Sequence, residues 1–170
     1  MKLTDYFLAQ LEMEAPRNRD AIAAVPDGKD DWKPHDKSMP LGRLAMLVAG
    51  IPDWIALIIN GDELDLAPKS GGSSYQPPPF GNREQRMQAV ENAIAKGRQA
   101  IAGTTDEHLM KPWKLLVGGN VVQEQPRHIV LRDTFMHLAH HRGQLTVYLR
   151  ENDCPVPALY GPSADDQRFA

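Results

Sequence analysis

The stretch from Pro126 to about Asn152 reads as one uninterrupted helix, and its side-chain pattern constrains the fold more than any other feature. At about 100° per residue, Asp133, His137, His140, His141, Gln144 and Tyr148 fall on one stripe. Leu138, Leu145 and Leu149 border that stripe on one side, and Met136 and Val147 border it on the other. An ordinary amphipathic helix gathers its apolar residues on the buried face. A polar stripe flanked on both sides by apolar residues therefore belongs inside a helical assembly, with the imidazoles pointing inward. Buried polar groups without partners cost about 1–3 kcal/mol each, and a metal ion is the natural partner for several histidines.

Three further helical segments precede it. The first runs from about Thr4 to Val25, with Leu3, Phe7, Leu8 and Leu11 at helical spacing, and Pro16 is expected to kink or divide it. The second starts near Pro40 and carries a dense apolar face of Leu44, Leu47, Val48, Ile51, Trp54, Ile55 and Ile58. The third opens on Asn82 as N-cap, continues through Met87, Val90, Ile94 and Ile101, and ends at Gly103. Between the second and third, residues 60–81 contain Gly71-Gly72-Ser73-Ser74 and Pro77-Pro78-Pro79, which cannot propagate a helix. Loops of that length in compact domains are usually functional or mobile. Asp106 opens one more short turn, and residues 113–123 read as two β-prone runs around Gly118-Gly119-Asn120, a small hairpin. After Asn152 an extended tail lies over the bundle. The pattern predicts an all-α fold, a four-helix bundle with a small β-hairpin before the last long helix, in a single domain over residues 1–170.

Composition narrows the function classes. A chain of 170 residues can bury roughly 70% of its unfolded surface around one core. Its 19 basic and 22 acidic residues are spread without blocks and give a net charge of −3, which argues against nucleic acid and acidic membranes as partners. Cys154 is the only cysteine, so no internal disulfide forms. The N-terminal Met1-Lys2-Leu3-Thr4-Asp5 lacks a signal-peptide pattern, and the apolar run from Leu44 to Ile59 is interrupted by Pro52 and Asp53 and is too short to cross a bilayer. The expectation is a soluble cytoplasmic protein.

His137 and His141, four residues apart, can share one ion at about 2.0–2.1 Å. A divalent ion held by few protein ligands keeps open positions and is a reactive centre rather than a structural staple, but this one needs a third ligand. The same spacing also suits two hydrogen-bonded histidines. His140 and Tyr148 are the candidate catalytic proton donors, against the alternative of a hydrogen-bonded core tyrosine. Gly143 in mid-helix suggests close approach of another helix or the tail, and Arg142 and Arg150 suggest tail or interface anchors. Trp32, Trp54 and Trp113 pack in or around the core. Cys154 reads as a plain free thiol, and His35, His108 and His128 as solvated. The paired Glu-x-x-His motifs of diiron bundles are absent.

Three blocks together resemble a known family. Lys37-Ser38-Met39-Pro40-Leu41-Gly42-Arg43-Leu44-Ala45, then His140-His141-Arg142-Gly143-Gln144-Leu145 with Tyr148-Leu149-Arg150, then Val156-Pro157-Ala158-Leu159-Tyr160-Gly161-Pro162-Ser163-Ala164-Asp165 look like the DinB-like bundle family. The resemblance implies a four-helix bundle, commonly a homodimer, with three histidines on nickel, zinc, iron or a related divalent ion. Two of them correspond to His137 and His141, and some relatives are thiol-dependent transferases or isomerases. The family's remaining histidine position, in the second helix, is occupied here by Leu47, which has no lone pair. Waters, His140 or an Asp133 carboxylate can complete the site, or Asp133 can orient His137 from behind. Two functions follow: a metal-dependent enzyme acting on a small-molecule substrate through an incomplete site, or a non-catalytic, metal-free dimeric binding bundle.

Overall fold

The computed structural model describes residues 1–69, 71 and 80–168, and the polyglycine and polyproline runs of the long connection fall largely outside that set. Its first helix, α1 (Leu3–Ala23), passes through Pro16 without dividing. Pro16 is exposed, on a side where the carbonyl it deprives of a donor is open to hydration. The free N–H groups at the start of α1 are satisfied from far along the chain. Asp106 accepts from the backbone of Leu3 (2.9 Å) and Thr4 (3.0 Å), and the Thr4 and Leu3 N–H bonds lower its pKa.

The expected second helix is two helices, α2 (Leu41–Gly50) and α3 (Asp53–Asn60), bent by 50° at the break. Pro52 lacks an N–H and its ring clashes with the preceding turn, so the ladder cannot continue. The bend fits against α4 (Arg83–Ala102), where a Cβ on Gly97 would stand 2.9 Å from the Pro52 carbonyl oxygen. Only glycine lets α4 come that close. α4 starts as expected on Asn82, in a full capping box with Gln85, and α5 (Asp106–Met110) follows.

The hairpin is longer than expected and is part of a sheet. β1 (Glu63–Asp65) pairs parallel with β2 (Pro112–Val117), which pairs antiparallel with β3 (Asn120–Pro126). Gly118 and Gly119, at φ +62° and +80°, make the tight turn, and the Asp65 carboxylate accepts both their N–H groups at 3.0 and 2.7 Å. The last helix, α6 (Arg127–Glu151), matches the expected long helix. Among the described residues no single helix is long and apolar enough to cross a membrane.

Two apolar clusters fill the bundle. One gathers Ile22, Leu44, Val48, Ile94 and Leu145, and the other Leu11, Ile55, Ile101, Leu131 and Phe135. Arginines that are fully buried fasten the joints. Arg127 donates to the carbonyls of Ile58 (3.1 Å), Gly61 (2.9 Å) and Pro112 (2.7 Å), and pairs with Asp62. It thereby locks the end of α3 and the base of the sheet to the start of α6. Arg142 pairs with buried Glu14 on α1 and donates to the Tyr160 hydroxyl in the tail. Tail anchoring by Arg142 is what the sequence predicts. The Gly143 expectation fails, because a Cβ there would meet nothing within 4 Å.

Candidate functional site

The face that α6 turns into the bundle carries Leu131, Phe135, Leu138, Arg142, Leu145 and Leu149. The histidine stripe is rotated away from it and lies along the rim, with exposed Met136 (62%) and Val147 (57%) on its outer border. The expectation that all the imidazoles point into the interior is therefore corrected. Met136 and Val147 face solvent and do not wall the stripe in.

One edge of the stripe, at His137, which is itself still exposed to solvent, does meet a cavity. About 430 Å³ in volume and open to solvent on one side, it is lined by Leu47 of α2, by Trp54 and Leu57 of α3, by the sheet, and by Asp133 and His137 of α6. The bend at Pro52 positions α3 for this, and Arg127 holds the sheet and α6 together beneath it. Trp54 meets the His137 ring edge-on at 5.1 Å between centroids. Burial lowers the pKa of His137, and the neighbouring His141 and His140 add to the shift.

His141 follows one turn later, its ring centroid 4.6 Å from that of His137. Its Nδ1 is 2.7 Å from Gln144 Oε1, and Gln144 Nε2 is 3.1 Å from His140 Nε2. With the amide oxygen accepting and the amide nitrogen donating, His141 carries its proton on Nδ1 and presents the Nε2 lone pair. Gln144 thus orients two rings at once, a role the sequence pattern placed on the stripe without specifying. His140 is exposed and lies outside the cavity lining. Tyr148 also lies outside it, packed edge-on against Trp32 at 5.5 Å. Asp133 shares the cavity wall with His137, and its Oδ1 accepts from Arg132 (2.8 Å).

Leu47 lines the same cavity as His137 and offers it only carbon, and among the described residues no group of three His, Cys, Asp or Glu side chains is placed to hold an ion. The donor set does not fit a three-ligand centre. Of the other three histidines, His35 is exposed as expected, whereas His108 and His128 have structural partners: His108 Nε2 donates to Ile59 O (2.8 Å) and His128 Nδ1 to Leu109 O (3.2 Å).

The profile of the DinB family matches residues 1–168. The chain belongs to the DinB family. It is 26% identical over 163 residues to the uncharacterised protein YrdA of Bacillus subtilis (strain 168), covering 95% of this chain and 90% of that one. The DinB-like protein from Bacillus cereus ATCC 10987 superimposes with a TM-score of 0.68 at 20% identity, over 91% of this chain and 95% of that one. The DinB-like protein YjoA from Bacillus subtilis gives 0.63 at 14% identity, over 87% and 92%. Both share the fold. The cavity walls from the sheet, Leu64, Leu66 and Leu115, were missed at the sequence level, although Leu64 and Leu66 carry the period-two spacing of a half-buried strand.

Proposed function

We propose that this DinB-family protein binds a small molecule in the cavity between α2, α3, the sheet and α6, and that His137 and His141 form a two-imidazole half-site at its polar end. Leu47 takes the place of the third donor in this reading, so a divalent ion of the nickel, zinc or iron kind is held only loosely. Ligand binding, rather than turnover centred on a metal, is then the function. The observation that carries the reading is the meeting of His137 and Leu47 in the lining of one cavity, with the His141 ring, outside that lining, tilted at 44° to His137 and 4.6 Å from it. The hydrogen bond from His141 Nδ1 to Gln144 supports a half-site, because it leaves Nε2 as the donor nitrogen. Thiol-dependent transfer of the kind the family resemblance implies requires a complete centre, and in this reading the chain supplies two of its ligands.

Elemental analysis of the purified protein tests the reading, with His141→Ala as control. Sub-stoichiometric metal that a chelator strips, and that His141→Ala abolishes, supports it; stoichiometric metal unaffected by the substitution contradicts it. A second reading, a metal-free bundle whose histidines only bond to one another, is favoured by the His141–Gln144–His140 chain and predicts no metal in either protein. A homodimer is part of both readings, and light scattering at twice 18.9 kDa would register it.

A further inference from the structure

The cavity is apolar apart from its α6 wall and the Gln123 amide of β3. Leu57, Leu64, Leu66 and Leu115 supply aliphatic surface, and Trp54 and Trp113 supply indole faces. Among the described residues, neither lysine nor arginine lines it, and Asp133 is its one carboxylate. Arg132 is the partner of Asp133 but stands outside the lining; its Nε and Nη2 both donate to Oδ1, at 3.1 and 2.8 Å. Oδ2 takes no part in that pair. Thr134, on the same wall, already gives its hydroxyl proton to Val130 O (2.9 Å). A ligand anion entering here would lose its hydration, find no cation, and face Asp133. A ligand with an apolar body and a hydrogen-bond donor meets none of these costs. A volume of about 430 Å³ lies toward the small end of ligand pockets, roughly 300–1,000 Å³.

We propose that the cavity selects an uncharged, largely apolar molecule carrying one hydroxyl donor, of the phenol or alcohol class, with its body against Trp54 and Trp113 and its hydroxyl on Asp133. The inference rests on the reading of this cavity as the functional pocket, and adds the ligand's charge and polarity.

Two probes with one bicyclic body separate the possibilities: 2-naphthol, neutral at about pH 7, and 2-naphthoate, an anion there. The chain has three tryptophans; Trp54 and Trp113 line the cavity, whereas Trp32 packs on Tyr148. Indole N–H resonances of the isotope-labelled protein, assigned by Trp→Phe variants, are followed through each titration in excess chelator, so that no ion takes part. The Trp54 and Trp113 signals should move saturably with 2-naphthol while Trp32 stays, and 2-naphthoate should bind about ten-fold or more weakly. Asp133→Asn should narrow that gap, and Leu66→Arg, which adds a cation at a partly exposed lining position, should strengthen 2-naphthoate. Equal affinity for both probes, with Trp54 and Trp113 responding, overturns the ligand class and leaves the pocket reading standing. No saturable shift of either cavity tryptophan with either probe overturns both.

Discussion

The Trp54 indole stands edge-on to the His137 imidazole, ring centroids 5.1 Å apart and planes at 79°. One residue rides on α3 and the other on α6, so the contact joins the bend at Pro52 to the cavity edge of the histidine stripe. It places an ionisable ring among apolar groups at the wall of the cavity. Charging that ring is therefore disfavoured, and the electrostatics of the site follow from the packing of a neighbouring helix.

The pKa of His137 should accordingly lie below the ordinary value of 6.5. Because the folded ring resists protonation, the unfolded chain binds more protons as the pH falls through that value. The His137 contribution to stability is then flat above about pH 6.5, declines below it, and levels off once the pH passes the lowered folded pKa. An NMR titration of the His137 ring protons measures the midpoint directly, and Trp54→Ala should raise it by removing part of the burial. A midpoint at or above 6.5 in the parent would contradict this picture.

Glu14 and Arg142 are both buried, and each compensates the other. Glu14→Gln strands a guanidinium inside the bundle and should cost about 3–5 kcal/mol. Tyr160→Phe keeps the ion pair but removes a hydroxyl that donates to Glu14 (3.0 Å), and should cost about 1 kcal/mol. Burial also raises the Tyr160 pKa, which keeps that hydroxyl protonated. Urea denaturation ranks the two, and equal losses would show that the pair is not what holds α1 to α6.

Two glycines should respond in opposite directions. Gly143 sits inside α6 with open space where a Cβ would go, so Gly143→Ala should stabilise by up to about 1 kcal/mol. Gly97 lies under the Pro52 carbonyl, where a Cβ would stand at 2.9 Å, so Gly97→Ala should destabilise by about 1–3 kcal/mol through overpacking. Thermal unfolding of both variants tests the assignment, and a stabilised Gly97→Ala protein would mean that the bend tolerates displacement.

Much of the fold was legible because its signals are local. The Asn82 capping box, the paired glycines of the hairpin and the unbroken length of α6 are each written within a few residues. Pro52 was readable as a breaker too, yet the apolar face running from Leu44 to Ile58 suggested continuity, since a bent helix pair and a straight one can bury the same residues. β1 was not legible: three residues become a strand only because β2, some fifty positions later, lies alongside. The site was half legible. Periodicity placed Asp133, His137 and His141 on one stripe, but which edge of that stripe turns inward depends on where α1 and α3 sit. The packing chose Arg142 and the leucines for the interior, because Glu14, the one buried carboxylate among the described residues, pairs with Arg142 there.

The most direct test of the account compares metal content in the parent and in Leu47→His, prepared identically and dialysed against a weak chelator. The two-imidazole half-site predicts that the parent loses its ion, while the variant, with a third imidazole on α2, retains close to one nickel or zinc per chain. A parent that holds stoichiometric metal through the same dialysis, or a folded Leu47→His protein that gains none, would contradict it.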